Sequence, residues 1–294
     1  MKIDIIMEIT IFWIRHGFSC ANLYKNEHVN QPTIITKHIV KPIDIVGESI
    51  THDALLTNKT INDMCSSRTH YKLLIEEEKV DIILCSELAR AVETAMFLFK
   101  STNPLDIYVV PYVSEIRNKT GIDFSNDPSK LDKLKNHTAS LYSKQQDYCS
   151  EENQYMGLPN ISFRIIDEFR RTSDGYIDTS PDLHKFVKLV IKFMIDYKII
   201  INKPSIKIAI VSHGHFISKM TGVPIVSNLD IIRQHILVDS DNITITPAKG
   251  QKIYNHKMIT IDDVNNDGQR CGTMVIQKVI SLERLKKLKK DIYK

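Results

Sequence analysis

Paired cysteine patterns are missing from this sequence. Its five cysteines, Cys20, Cys65, Cys85, Cys149 and Cys271, are odd in number and form no C-x-x-C. Neither a disulfide framework nor a zinc site is therefore expected, and a reducing compartment fits. No apolar run approaches the length needed to span a bilayer. The apolar start, residues 1–14, is interrupted by Asp4 and Glu8 and leads to no small-residue cleavage site, so a soluble, cytoplasmic protein is expected. Charge of one sign is not concentrated either: 39 Lys and Arg against 35 Asp and Glu leave a net charge of +4. That balance favours anionic ligands slightly, and without a basic stripe it argues against nucleic acid as a partner. No internal repeat is visible. Sequons at Asn58, Asn118, Asn136, Asn160 and Asn242 are what a chain rich in Asn, Ser and Thr produces by chance.

What is present is an ordinary globular composition, 43% hydrophobic and 25% charged over 294 residues, enough for one large domain or a domain with an insertion. Four apolar runs without clean alternation, at 9–14, 80–85, 107–113 and 206–211, read as strands buried on both faces. Helical patterns over 60–78 and 87–100 separate them, and a third opens at Gly214 and stops near Thr221 before Gly222 and Pro224. This alternation predicts an α/β fold with a mostly parallel sheet covered by helices.

Two stretches exceed what such a fold needs, 23–51 and 117–204. The second holds polar pieces at 126–154 and helical candidates at 167–172 and 181–197. It reads as an insertion packed over the sheet's carboxyl edge, where grafted loops set substrate choice. Past Val223, β-like runs are expected at 243–246, 257–261 and 273–280, followed by a basic amphipathic helix at 281–294 with Ser281 as its N-cap. This extension spans about 240–294. Its helix reads as docked on the protein surface, not on a membrane. The string Asp263 to Gly268 begins like a calcium loop, but Met274 stands where a bidentate Glu is needed, so a hairpin turn is expected.

The chemistry-bearing residues sit at the ends of the four strands. The first run leads into Arg15-His16-Gly17 with Ser19 and Asn22 beyond, the pattern R-H-G-x-[ST]-x-x-N. Ser86-Glu87-Leu88-Ala89-Arg90-Ala91 with Thr94-Ala95 follows the second, Glu115 the third, and His213-Gly214 the fourth. Ligand sites in open α/β sheets form where strand ends converge in this way. Guanidinium forks from Arg15 and Arg90 suit the anionic oxygens of a phosphoryl group, and Asn22 adds a neutral amide donor.

Together these segments, and Asp53-Ala54-Leu55-Leu56-Thr57 between them, resemble the signature of the histidine phosphatase superfamily, branch 1, the phosphoglycerate-mutase-like proteins, over about 8–116 and 205–225. The resemblance implies a three-layer α/β/α fold and a phosphatase acting on phosphomonoesters through a phosphohistidine intermediate, without metal or other cofactor. It implies His16 as nucleophile, Glu115 as proton donor, and Arg15, Arg90 and His213 as catalytic cations and phosphate ligands, aided by Asn22, Ser19, Gly214 and the Gly17 backbone. Substrates would be a phosphorylated small molecule or a phosphoprotein, with Arg117, Lys119, Arg164, Arg170 and Arg171 as extra cations; oligomeric state is open.

Departures from the family pattern matter too. The R-H-Y-G segment that follows the corresponding Glu in phosphoglycerate mutases is missing after Glu115, which favours hydrolysis over mutase-type transfer. Thr60 stands where a glycine is usual, and His215 replaces a frequent second glycine, where it would contact substrate or pack at the helix start. Asp106, Asp123 and Asp127 are alternative acids. Cys20 beside the nucleophile reads as a buried small hydrophobe. A non-catalytic phospho-ligand-binding or scaffold protein that kept the pocket, and a phosphoprotein-binding module built on the insertion, are the readings from other classes.

Overall fold

Ten residues of strand β1, Ile6–Arg15, run through the middle of the molecule and have neighbours on both sides. The computed structural model describes residues 6–22, 53–115, 131–143, 157–172, 181–196, 204–239 and 244–255. The runs expected at 257–261 and 273–280, the calcium-like string, the basic helix, Asp123, Asp127, Arg117 and Lys119 lie outside them.

After β1 come helix α1 (Asn58–Ser66), the short α2 (Thr69–Tyr71) continuing as a π-helical turn (Lys72–Glu77), strand β2 (Ile82–Ser86), helix α3 (Ala89–Leu98) and strand β3 (Ile107–Val110). Helix α4 (Leu131–Ser143), strand β4 (Ile161–Ser162), helix α5 (Arg164–Thr172) and helix α6 (Leu183–Phe186) follow. A π-helical segment (Val187–Ile191) joins α6 to α7 (Lys192–Asp196), before strand β5 (Ser205–Ser212) and helix α8 (Gly214–Thr221). Strands β6 (Ile231–Asp239), β7 (Thr244–Pro247) and β8 (Gln251–Tyr254) complete the described elements.

The sheet order is β4-β3-β2-β5-β1-β6-β7, with β8 also paired to β6. β4, β3, β2, β5 and β1 are parallel to their neighbours in this set, and β6 to β8 form an antiparallel wing against β1. The result is a mixed α/β sheet flanked by helices. Register brings the parallel strand ends level: Arg15 lies beside Ser212, Cys85 beside Val211, and Ser86 beside Val110. Residues that follow these ends are therefore brought to one edge of the sheet, where open α/β folds form a crevice.

Alternation along β1 feeds two cores. Phe12 and Ile14 join the core that contains Ile61, Met64, Val92 and Phe97 from α1 and α3. Ile9, Ile11 and Trp13 join the one that contains Phe186, Val190, Phe216 and Ile217. Parallel strands covered on both sides need this near-continuous apolar character, which is how the sequence reads there.

Several expectations need correction. The single helix expected over 60–78 is broken at Ser67, whose ψ of 123° is extended; α1, α2 and the π turn replace it. The helix expected at 181–197 is likewise interrupted by π-helical turns. β6 and β8 were not anticipated, and the polar stretch 126–154 contains α4. Leu134, Thr138 and Leu141 bury one face of α4, and its His137 Nε2 lies 2.9 Å from Oε1 of the fully buried Glu93 of α3. Lastly, Cys20 and Cys65 are disulfide-bonded, contrary to the sequence expectation; spacing along the chain carries no signal for bonds that tertiary approach creates. Cys85 is free and buried, and desolvation pushes its thiol far above the usual range.

No described helix is long and apolar enough to cross a membrane.

Candidate active site

His16 emerges at the carboxyl end of β1, held by a backbone bond from its N–H to the carbonyl of Ser212 in β5, 2.9 Å. The residue is only 4% exposed. Nδ1 lies 2.7 Å from the carbonyl oxygen of Gly17. A carbonyl can only accept, so Nδ1 carries the proton. Nε2 is then left with its lone pair, and Arg90 Nε donates to it at 3.2 Å. The chain thus sets the tautomer a nitrogen nucleophile requires.

Gly17 makes this geometry possible, because a Cβ there would come within 2.4 Å of Thr60 Cγ2. Thr60 in turn donates from its hydroxyl to the carbonyl of Phe18, 2.9 Å. Thr60 is therefore accommodated and helps fix the turn after His16.

Arg90 is the second residue of α3, and Asp53 accepts from the N–H of Ala89 at 2.7 Å, capping the helix start. His213 follows β5, fully buried, its ring centroid 5.0 Å from that of His16. Its Nε2 lies 2.9 Å from Ser86 Oγ, and Leu88 N–H donates to the same oxygen. Burial first, then Arg90, His16 and Arg15, hold the His213 pKa well below its usual value, so the ring is neutral and not the cation expected from the sequence. Arg15 Nη1 donates to the carbonyl of Val226, 2.7 Å. Desolvation pulls the Arg15 pKa down while Glu115 and Asp230 oppose it. Among the described residues, the buried side-chain polar atoms without a hydrogen-bond partner are Arg15 Nε, His213 Nδ1 and Ser101 Oγ. Two of the three border this crevice. Leaving such groups unpaired is costly, and a ligand that pairs them recovers the loss.

Glu115 lies beyond β3, its Oε1 accepting from the N–H of Phe216 in α8 at 3.2 Å. It is thereby brought to the Arg15 side of the crevice. Asp106 sits at the other end of β3, exposed and bonded to Asn160 Nδ2; the strand separates it from His16. Ser19 Oγ donates to Asn22 Oδ1 at 3.0 Å, and Ser19 N–H donates to the same atom at 3.1 Å, so these two side chains first of all hold each other. Gly214 opens α8 under the Arg15 guanidinium, where a Cβ would meet Nε at 3.0 Å. His215 is exposed at the helix start, so it does not pack there. Arg164 is exposed at the head of α5. Among the described residues no three His, Cys, Asp or Glu side chains gather in a metal-binding group.

Sequence reasoning missed the loop 226–230, which supplies the Val226 carbonyl to Arg15 and a side-chain amide from Asn228 to the His16 carbonyl, 2.8 Å. It also gave no role to Ser86 beyond the motif. An Asn-Leu-Asp turn just before an apolar strand is the signal that was there to find.

No protein-family model matches the chain, and no curated protein matches it. Among solved structures, one described as Mycobacterial hydrolase 2 superposes with a TM-score of 0.39 at 12% identity, over 90% of this chain and 97% of that one. Another, Mycobacterial hydrolase 1, gives 0.39 at 11% identity, over 86% of this chain and all of that one (100%). Similarity at this level carries no functional argument, and the reading below rests on the geometry of the site.

Proposed function

We propose that this chain is a phosphatase of the histidine phosphatase kind, with a three-layer, phosphoglycerate-mutase-like fold and a single domain over 1–294 in which 117–204 is inserted. One observation carries this reading. A buried imidazole, proton fixed on Nδ1 by the Gly17 carbonyl, presents its Nε2 lone pair beside Arg90, with Arg15 and a neutral second histidine at the same strand ends.

In the proposed reaction, His16 Nε2 attacks phosphorus and the ester P–O bond breaks. Glu115 gives its proton to the leaving oxygen. The equatorial oxygens are held by Arg15 and Arg90 and by the buried nitrogens that lack partners, Arg15 Nε and His213 Nδ1. Water then attacks the phosphohistidine, Glu115 takes back a proton, and orthophosphate leaves with His16 restored. Asn22, Ser19 and Gly214 belong to the same pocket, with Ser19 and Gly214 acting by shaping it. The substrate is a phosphorylated metabolite or a phosphoprotein. The missing R-H-Y-G segment after Glu115 favours hydrolysis over transfer between substrate hydroxyls.

The test is quenching of the protein in alkaline detergent during turnover of a phosphomonoester. Phosphate retained in an acid-labile, base-stable linkage, and lost in His16→Ala, supports the reading. Phosphate release that requires added magnesium and is abolished by EDTA would sink it.

A further inference from the structure

The peptide plane between His16 and Gly17 is pinned on both edges. Its carbonyl, on His16, accepts from Asn228 Nδ2 at 2.8 Å. Its N–H, on Gly17, donates to Thr94 Oγ1 at 2.9 Å. Thr94 is fully buried on α3, and its own hydroxyl proton goes to the Arg90 carbonyl at 2.6 Å, so its oxygen is oriented to accept. The next carbonyl along, that of Gly17, receives the His16 Nδ1 proton. Rotation of the pinned plane would therefore move the acceptor that fixes the nucleophile's tautomer.

The loop that carries Asn228 is itself held in an unusual shape. Leu229 has a φ of 63°, which a branched side chain rarely adopts. Such backbone persists only where its surroundings over-determine it. Here they do: Leu229 N–H donates to the Arg15 carbonyl at 2.9 Å, Arg15 N–H donates to the Asp230 carbonyl at 3.2 Å, and His70 Nε2–H donates to the Leu229 carbonyl at 2.8 Å. Asp230, fully buried, accepts from Ser227 N–H at 2.7 Å and from Lys252 Nζ at 2.6 Å. The same loop takes the Arg15 guanidinium on its Val226 carbonyl.

We infer that the loop 226–230 is a positioning clamp for the nucleophile segment, in which Asn228, opposed by Thr94 across the His16–Gly17 peptide, sets the orientation and tautomer of the His16 imidazole. Asn228 touches neither the reacting nitrogen nor the phosphoryl group; it acts through the backbone. This turn brings the Val226 carbonyl, the Leu229 N–H and the Asn228 amide to bear on the consecutive residues Arg15 and His16. This inference rests on His16 being the nucleophile.

The test uses the full-length chain with 15N-labelled histidine, the His16 signals being assigned by comparison with His16→Gln. The parent should hold His16 in the Nδ1–H form. Asn228→Ala, and the isosteric Asn228→Asp in case the first does not fold, should populate the other tautomer. Either should slow phosphoenzyme formation from p-nitrophenyl phosphate by about tenfold to a hundredfold, with KM moving less than about threefold. Thr94→Val should do the same and Thr94→Ser should restore the parent values. An unchanged rate in the Asn228 variants would overturn the inference, as would a slower rate with the His16 tautomer intact, equal damage from Thr94→Ser and Thr94→Val, or unfolding of both Asn228 variants. A parent that never forms a phosphoenzyme would defeat the phosphatase reading instead, and the tautomer measurement would still decide the clamp.

Discussion

The crevice has two walls that differ in how their polar atoms are satisfied. On the wall built by β1 and α3, His16 gives its Nδ1 proton to Gly17 and receives Arg90 at Nε2. On the side of β5 and α8, to which the Arg15 side chain of β1 crosses over Gly214, His213 Nδ1 and Arg15 Nε are buried without partners. The first wall is finished by the protein itself. The second keeps buried polar atoms unpaired, and in the proposed function a phosphoryl group would pair them. The lesson is a division of labour: reactivity is preset on one side, and affinity for charge waits on the other.

The largest effect should come from removing the preset wall. His16→Ala should abolish both phosphoenzyme and turnover of p-nitrophenyl phosphate while circular dichroism stays that of the parent. Residual turnover at the parent rate would break the comparison at its root. Next come the groups proposed to hold the phosphoryl oxygens: Arg90→Ala and His213→Ala should each lower kcat/KM by about a hundredfold or more on every substrate, the ~3 kcal/mol typical of one preorganised donor. Arg90→Lys should not restore activity, because a lysine lacks the fork that reaches His16 and phosphate together. A loss confined to one substrate would move the residue to substrate selection.

A smaller and more selective effect is expected at Glu115. Glu115→Gln should severely slow phosphoenzyme formation from a sugar phosphate, whose alkoxide needs a proton, and affect p-nitrophenyl phosphate much less. Equal slowing of that step on both substrates would turn Glu115 into a spacer between β3 and α8, which its bond to Phe216 N–H already makes it in part.

The smallest effect concerns stability. His213 is held neutral, its folded-state pKa well below 6.5. As pH falls through about 6.5 the unfolded chain takes up a proton that the folded one refuses, so stability drops with acidification below that point. Melting curves from pH 7 to pH 5 should therefore show a shallower decline in His213→Gln than in the parent. A parallel decline would remove His213 from the account of acid sensitivity.

Much of this was legible beforehand, and the failures share a cause. Runs buried on both faces announced β1, β2, β3 and β5 within a few residues, and residues just past them included His16, Arg90, Glu115 and His213. β6 escaped because Arg233, Gln234 and His235 interrupt its apolar pattern. Gln234 is nonetheless buried: it accepts from the Trp13 indole at 2.9 Å and donates to the carbonyl of Met220 at 3.0 Å. A polar residue satisfied in the core reads as surface until its partners are known. Asn228 escaped because its partner, the His16 carbonyl, lies 212 residues away in the sequence, and Val226 because a carbonyl carries no sequence signal at all.

One consequence of the strand order concerns the order of events when the chain is made. β1 is synthesised first, yet its sheet partners β5 and β6 pair with it from roughly 200 residues further along. A ribosome must deliver that intervening length before Ile9, Ile11, Trp13 and their neighbours can be enclosed, and an apolar strand left waiting is prone to stick to whatever is near. Chains cut short before β5 would thus carry the His16 segment with neither of the strands that pair with β1, and nascent chains would expose it until β5 and β6 have been made.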